Sequence, residues 1–97
     1  MSIRLHFSPR FERKIDLLDN SVLPRIRASL AKLEASHIDA LLKRSRKMLT
    51  RSGEPPLLIV GFAVDYRIIF RRIGKEDIEL LDIVAHDDLN KFLGMLE

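Results

Sequence analysis

The chain has 97 residues, of which 46% are hydrophobic, with no cysteine and a formal net charge of +3. This composition excludes a disordered chain and a disulfide-stabilised secreted scaffold, and the length predicts one domain over residues 1–97. No apolar stretch approaches the ~20 residues that cross a bilayer. The opening MSIRLHFSPRF has no signal-peptide apolar region, so we expect a cytoplasmic protein with no membrane partner.

The first half of the chain predicts a strand followed by helices. Apolar and polar residues alternate over Ile3–Ser8, which is typical of a short strand with one buried face. Ser8-Pro9 supplies the residue types preferred at the N-cap and first position of a helix. After Ser21, which can cap a second helix, a helical apolar stripe falters at Ser36-His37 and resumes as far as Met48-Leu49. This pattern fits one long helix or two helices with a kink.

The second half predicts three strands and a closing helix. The strands are expected at Leu57–Phe62, Tyr66–Ile73 and Ile78–Ala85, joined by short turns as an antiparallel meander. Asp87 or Asp88 would cap the last helix. The order β-α-α-β-β-β-α indicates an α+β fold with an antiparallel sheet and helices packed on one face. The other sheet face would then be partly open.

Two arginines are the first candidates for chemistry. Alternation in the second strand of the meander places Tyr66 with the helix-facing side chains, and Arg67 and Arg71 on the open face. An arginine on a rigid strand suits a phosphate, because its planar guanidinium makes two charge-assisted hydrogen bonds. The alternative is that both are solvated or pair with Glu79 or Asp82 on the neighbouring strand.

A basic run predicts contact with a polyanion. Five cations fall within nine positions without an intervening acid, whereas acids outnumber bases from Glu76 onward. The alternative interpretation is that these residues form the solvated C-terminal end of a helix, where cations interact favourably with the helix dipole. Helical spacing would place Lys43, Arg46 and Lys47 on one side. The candidate RNA-binding residues are Lys43, Arg44, Arg46, Lys47 and Arg51.

His86 lies where the last strand gives way to the last helix. A histidine exchanges a proton at neutral pH, so His86 is a candidate general acid or base, although a lone histidine more often satisfies local backbone groups. Asp87 and Asp88 suit a helix cap, and no second cluster of metal ligands is present, so no metal site is predicted. His6 and His37 are interpreted as structural.

The segment VDYRIIFRR…IELLDIVAHDDLNKF resembles the RelE/ParE superfamily of bacterial toxins, and LHFSPRFERKI is similar to the first strand and helix start of that superfamily. In DYRIIF, Arg67 matches the arginine that RelE-type enzymes use on the mRNA phosphate. In AHDDLNKF, His86 matches the catalytic histidine of YafQ-type members. The chain departs from RelE at Asp87 and Leu93, which replace an arginine and a tyrosine, and LLIVGF lacks the paired lysines of RelE.

The resemblance implies a RelE-like fold and a ribosome-dependent mRNA endoribonuclease that uses general acid/base chemistry. It implies His86, Arg67 and Arg71 as catalytic residues, no metal and no cofactor. The implied partners are a cognate antitoxin, the ribosome and mRNA. Two alternatives stay open: a ParE-like toxin that inhibits DNA gyrase without nuclease activity, and a non-toxic partner-binding member of the fold.

Overall fold

The computed structural model describes residues 2–47, 56–63 and 65–85. The helices are α1 (Pro9–Asp16), α2 (Leu23–Ala35) and α3 (Ile38–Arg44). The strands are β1 (Arg4–Phe7), β2 (Arg46–Lys47), β3 (Leu58–Phe62), β4 (Tyr66–Arg72) and β5 (Asp77–Ala85). The expected closing helix, with Asp87 or Asp88 as its cap, lies outside the described residues.

The start of α1 confirms the prediction from Ser8-Pro9. Ser8 has an extended backbone, its Oγ accepts a hydrogen bond from the amide of Phe11 at 3.1 Å, and Pro9 opens the helix. The hydroxyl of Ser8 also donates to the carbonyl of Leu81 at 3.0 Å, and the backbone amide of Ser8 donates to Leu80. One buried serine therefore caps α1 and fastens it to β5.

The helical stripe after Ser21 divides into two helices at Ser36-His37. Ser36 turns extended, and its Oγ donates to the carbonyl of Lys32 at 2.8 Å. The expected cap at Ser21 is wrong by one residue, since Val22 occupies the N-cap without a side-chain hydrogen bond. The predicted continuation through Met48-Leu49 is also wrong, because α3 ends at Arg44 and Arg46–Lys47 form strand β2.

The sheet has the order β1-β5-β4-β3-β2. Strands β3, β4 and β5 form the predicted antiparallel meander, with boundaries within one residue of those expected. Strand β2 adds antiparallel to β3, and β1 pairs parallel with β5 at the opposite edge. Two residues of β5 oppose one of β4 near Ile69, which makes a bulge at Leu81–Asp82.

The main core lies between the three helices and one face of the sheet. Its fully buried members include Phe11, Ile26 and Leu41 from the helices, and Phe70 and Leu80 from the strands. Tyr66, Ile68 and Phe70 point into this core, as the alternation of β4 predicted. The α+β arrangement with helices on one face of a mainly antiparallel sheet is therefore confirmed.

Candidate functional site

The face of the sheet opposite the helices, called here the sheet face, has an apolar centre. Side chains of directly paired residues on antiparallel strands project to the same side, so the register identifies this surface. Ile59 and Ile69 form a second buried cluster there, packed against Leu57, Leu81 and Val84. This face therefore has a buried apolar centre, with partly exposed apolar side chains beside it.

Arg67 lies on the sheet face near the start of β4, on the face that the sequence predicted. Its Cα partners are Gly61 on β3 and Val84 on β5. A Cβ on Gly61 would lie 3.7 Å from Nη1 of Arg67, so the guanidinium rests over a position without a side chain. The same Nη1 donates to the carbonyl of Tyr66 at 3.0 Å. The arginine is half-buried and held against the strand, but no ion pair to an acid forms within the described part of the chain.

Arg71 occupies the other end of the sheet face and is paired. Its Nε and Nη2 both lie 2.8 Å from Oε1 of Glu79 on β5. This is the alternative that the sequence left open for the two arginines, and it applies to Arg71. An anion at this position would have to compete with Glu79 for the guanidinium.

The basic run does not lie on one side of a helix. Lys43 and Arg44 end α3, whereas Arg46 and Lys47 form β2 and alternate across it. Arg46 pairs with Ile59 and therefore projects toward the sheet face, while Lys47 pairs with Leu58 of the main core. The prediction that Lys43, Arg46 and Lys47 share a helical side is thus wrong, because strand pairing overrides the continuing helical spacing.

The strand that leads to His86 is positioned beside Arg67. Ala85, the last residue of β5, pairs with Tyr66, and Val84 pairs with Arg67. His86 follows Ala85 directly in the sequence. His86, Asp87 and Asp88 themselves lie outside the described residues, as does Arg51.

Asp82 fixes this end of β5 to α1. Its Oδ1 lies 2.7 Å from Nζ of Lys14 and accepts from the amide of Ile83 at 2.8 Å, while Oδ2 lies 3.3 Å from Nε of Arg10. Lys14 also donates to the carbonyl of Ile83 at 3.2 Å. Asp82 therefore pairs with helix α1 and not with the arginines of β4.

A second ion-pair cluster joins β1 to the start of β5. Asp77 lies 2.9 Å from Nε of Arg4 and 3.0 Å from Nε2 of His6. The hydrogen bonds from His6 and then Arg4 hold the pKa of Asp77 below its ordinary value of 3.8. The structural interpretation of His6 is consistent with this cluster.

Two cations that the sequence did not single out line a cleft together with Arg44. They are Arg25 and Lys32 on α2, and the opposite wall of the cleft is the edge of β3 at Val60–Ala63. Their signal in the sequence is a polar stripe, Arg25, Ser29 and Lys32, at helical spacing. Apolar periodicity draws attention to the opposite side of α2, which is why the stripe was missed.

Within residues 2–47, 56–63 and 65–85, no three His, Asp or Glu side chains converge into a group that could hold a metal ion. In the same part of the chain, no helix is both long and apolar enough to cross a bilayer.

No protein-family model and no curated protein sequence matches this chain. Solved structures do match. The archaeal RelE–RelB complex from Pyrococcus horikoshii has a TM-score of 0.60 at 18% identity, covering 89% of this chain and 97% of that chain. A RelBE toxin–antitoxin complex from Mycobacterium tuberculosis has a TM-score of 0.59 at 16% identity, covering 88% and 99%. A mutant of the E. coli toxin RelE in the free state has a TM-score of 0.55 at 17% identity, covering 95% and 92%. The chain therefore has the RelE-like fold.

Proposed function

We propose that this protein is the toxin of a toxin–antitoxin pair and that it cleaves mRNA on the ribosome. The observation that carries the proposal is Arg67, an arginine held on a strand of a RelE-like fold without an acidic partner among the described residues. The solved structures of this fold include RelE–RelB complexes, which supports an antitoxin as partner. A protein acting on translating ribosomes would work in the cytoplasm.

The chemistry proposed for Arg67 follows from its position. Gly61 leaves the surface beside the guanidinium free of a side chain, so a phosphate can approach it closely. A guanidinium fork stabilises negative charge that develops on the non-bridging oxygens of that phosphate. Because Arg67 already contacts the strand through the carbonyl of Tyr66, little side-chain ordering remains to be done when a phosphate binds.

His86 is proposed as the proton-transfer group. It would take the proton of the ribose 2′-hydroxyl, whose oxygen then attacks the adjacent phosphorus, or return a proton to the leaving 5′-oxygen as the P–O5′ bond breaks. This requires no metal and no cofactor. The support is its place in the sequence, directly after the strand end that pairs with Tyr66 and Arg67.

Arg71 and the basic run have secondary roles in the proposal. Arg71 can contribute to a phosphate only when its ion pair with Glu79 opens. Arg46 projects toward the sheet face, which also carries Arg67. We propose that Lys43, Arg44, Arg46, Lys47 and Arg51 hold messenger or ribosomal RNA outside the cleavage site.

A second candidate is a ParE-like toxin that inhibits gyrase. The observation that favours it is the apolar centre of the sheet face, where Ile59 and Ile69 are buried and Leu57, Leu81 and Val84 beside them stay partly exposed. A polar RNA backbone gains little from these partly exposed apolar side chains, whereas a protein partner can bury them. Under this candidate the protein would cause DNA damage and leave mRNA intact.

Induction in a bacterial host tests the proposed function. The wild-type chain should arrest growth, and Arg67→Ala should restore it while accumulating to the same level. Arg13→Ala, an exposed arginine on α1, is the matched control and should stay toxic. Mapping of mRNA ends after induction separates the candidates: new ends support the nuclease, and intact mRNA with gyrase-dependent DNA breaks supports the second candidate. Unimpaired growth with the wild-type chain would support the non-toxic alternative.

A further inference from the structure

The cleft between α2, the end of α3 and the edge of β3 combines two features that belong to a ligand site. Its volume is about 410 Å³, within the range of small-molecule pockets. Apolar atoms from Leu33, Val60 and Phe62 form part of its walls, and Arg25, Lys32 and Arg44 line it as cations. Among the residues that the structure describes, no acid lines it.

The three cations of the cleft make no ion pair with an acid in the described ranges. Like charges gathered around one cavity repel each other, and an anion between them relieves that repulsion. The paired cations elsewhere show the contrast, since Arg4, Lys14 and Arg71 each contact a carboxylate. The cleft therefore carries positive charge that no acid in the described part of the chain neutralises.

The wall formed by β3 adds hydrogen-bonding capacity. Within the described ranges, strand β2 pairs with β3 at Leu58 and Ile59, and the edge of β3 beyond them lines the cleft. Backbone groups on such an edge can bind a ligand. A nucleotide fits this combination of features. The cations suit its phosphate, the apolar walls suit its base or ribose, and a backbone edge lies between them.

Gly61 connects the cleft to the sheet face. Its backbone lines the cleft, while the guanidinium of Arg67 covers it from the sheet face. We propose that this cleft is a second phosphate site that takes a nucleotide, distinct from the phosphate at Arg67. The proposal rests on the proposed function in assigning RNA as the natural source of that nucleotide. A free mononucleotide carries the same phosphate, ribose and base and is the other source to be tested.

The test uses purified protein and single-stranded RNA with 2′-O-methyl groups, which cannot be cleaved through the 2′-hydroxyl. Fluorescence polarisation over a salt series gives the number of phosphates held, because each contact contributes about 0.7 to the slope of log K against log salt. In the variant Arg25→Gln/Lys32→Gln/Arg44→Gln we expect the slope to fall by about 0.7 for the one phosphate lost, which corresponds to about fivefold weaker binding at 0.1 M salt. Arg27→Gln, an exposed residue of α2 that does not line the cleft, is the control and should bind as the wild type does.

A second variant tests whether the RNA enters the cleft or only contacts a basic surface around it. Ser29→Trp fills the cleft and keeps all three cations, so it should weaken RNA binding if the nucleotide enters the cleft. Circular dichroism and the melting temperature show that each variant folds. Wild-type affinity in the triple variant, or in Ser29→Trp, would overturn the proposal.

Amide chemical shifts distinguish the sources of the nucleotide. Adenosine monophosphate or the RNA should shift the amide signals of Ala28, Ser29 and Gly61. Shifts with both ligands indicate that the cleft also takes a free nucleotide. Shifts with RNA alone indicate that it takes a nucleotide within an RNA strand. Shifts with a hexaglutamate peptide but with neither nucleotide nor RNA would overturn the proposal in favour of an acidic protein partner. The binding test contains no ribosome and no cleavable RNA, so its result does not depend on mRNA cleavage. A protein that fails to cleave mRNA would refute the proposed function and leave the binding result unchanged.

Discussion

Asp82→Ala should destabilise the protein because Asp82 connects α1 to the bulge of β5. The carboxylate has 13% side-chain exposure, contacts Lys14 at 2.7 Å and accepts from the amide of Ile83 at 2.8 Å. Hydrogen bonds to charged groups contribute about 1.5–3 kcal/mol each, and removal also leaves the Lys14 amine without its closest partner. Arg10, at 69% exposure, adds less than about 0.5 kcal/mol. Lys14 is 36% exposed, so solvent screens its pair with Asp82 and the full value does not apply to that contact. We expect a total loss of about 2 kcal/mol.

For a domain of this size, about 2 kcal/mol lowers the melting temperature by about 8–16 °C. Chemical denaturation of the wild type, Asp82→Ala, Lys14→Met and the double variant forms a thermodynamic cycle. The coupling between Asp82 and Lys14 should be about 1–2 kcal/mol. Asp82→Asn is the matched control, since it keeps an acceptor for the amide of Ile83 and should lose about half as much stability. A coupling near zero, or a loss below about 0.5 kcal/mol for Asp82→Ala, would refute this role.

Three further predictions concern other parts of the molecule. Glu79→Gln should free Arg71 and strengthen binding to single-stranded RNA, measured by fluorescence polarisation, whereas unchanged affinity would mean that Arg71 does not reach the phosphates. Asp77 has a lowered pKa, so its stabilisation is present above the unfolded value of 3.8 and is lost as the pH falls through the folded value. The difference in unfolding free energy between the wild type and Asp77→Asn should therefore shrink on acidification from pH 5 to pH 2, and a constant difference would contradict the shift. Phe70→Ala should cost about 3–5 kcal/mol in urea denaturation because Phe70 is fully buried, and a cost below about 1 kcal/mol would contradict its place in the core.

The sequence predicted the elements that depend on residues close together along the chain. The N-cap at Ser8 depends on a hydrogen bond to Phe11, three residues away, and the meander depends on short turns between adjacent strands. The alternation of β4 also identified the face of Arg67 before any contact was known. These features need only the order of residue types along a short stretch.

Long-range pairing explains what the sequence did not predict. Arg46 and Lys47 continue a helical spacing, but pairing with Ile59 and Leu58 draws them into β2. The parallel pairing of β1 with β5 joins residues separated by most of the chain. Likewise, the sequence could offer Glu79 only as one of two possible partners for Arg71, because the choice depends on the register of β4 and β5.

The candidate site was predicted in part. Arg67 lies on the sheet face as expected, and the register brings the end of β5, which leads to His86, alongside it. The role of His86 stays a prediction, since it lies outside the described residues. The cations at Arg25 and Lys32 were missed because their relation to Arg44 arises from packing of α2 beside α3 and β3.

The most direct test of the central claim is cleavage of ribosome-bound mRNA by the purified protein in a cell-free translation reaction, followed by mapping of the new RNA ends. The wild-type chain should cleave, and Arg67→Ala should cleave about 10²–10³ times more slowly because it lacks the group that stabilises charge on the phosphate. Arg13→Ala should match the wild type. Equal cleavage rates for Arg67→Ala and the wild type, or no cleavage by a wild-type chain that inhibits gyrase, would contradict the claim.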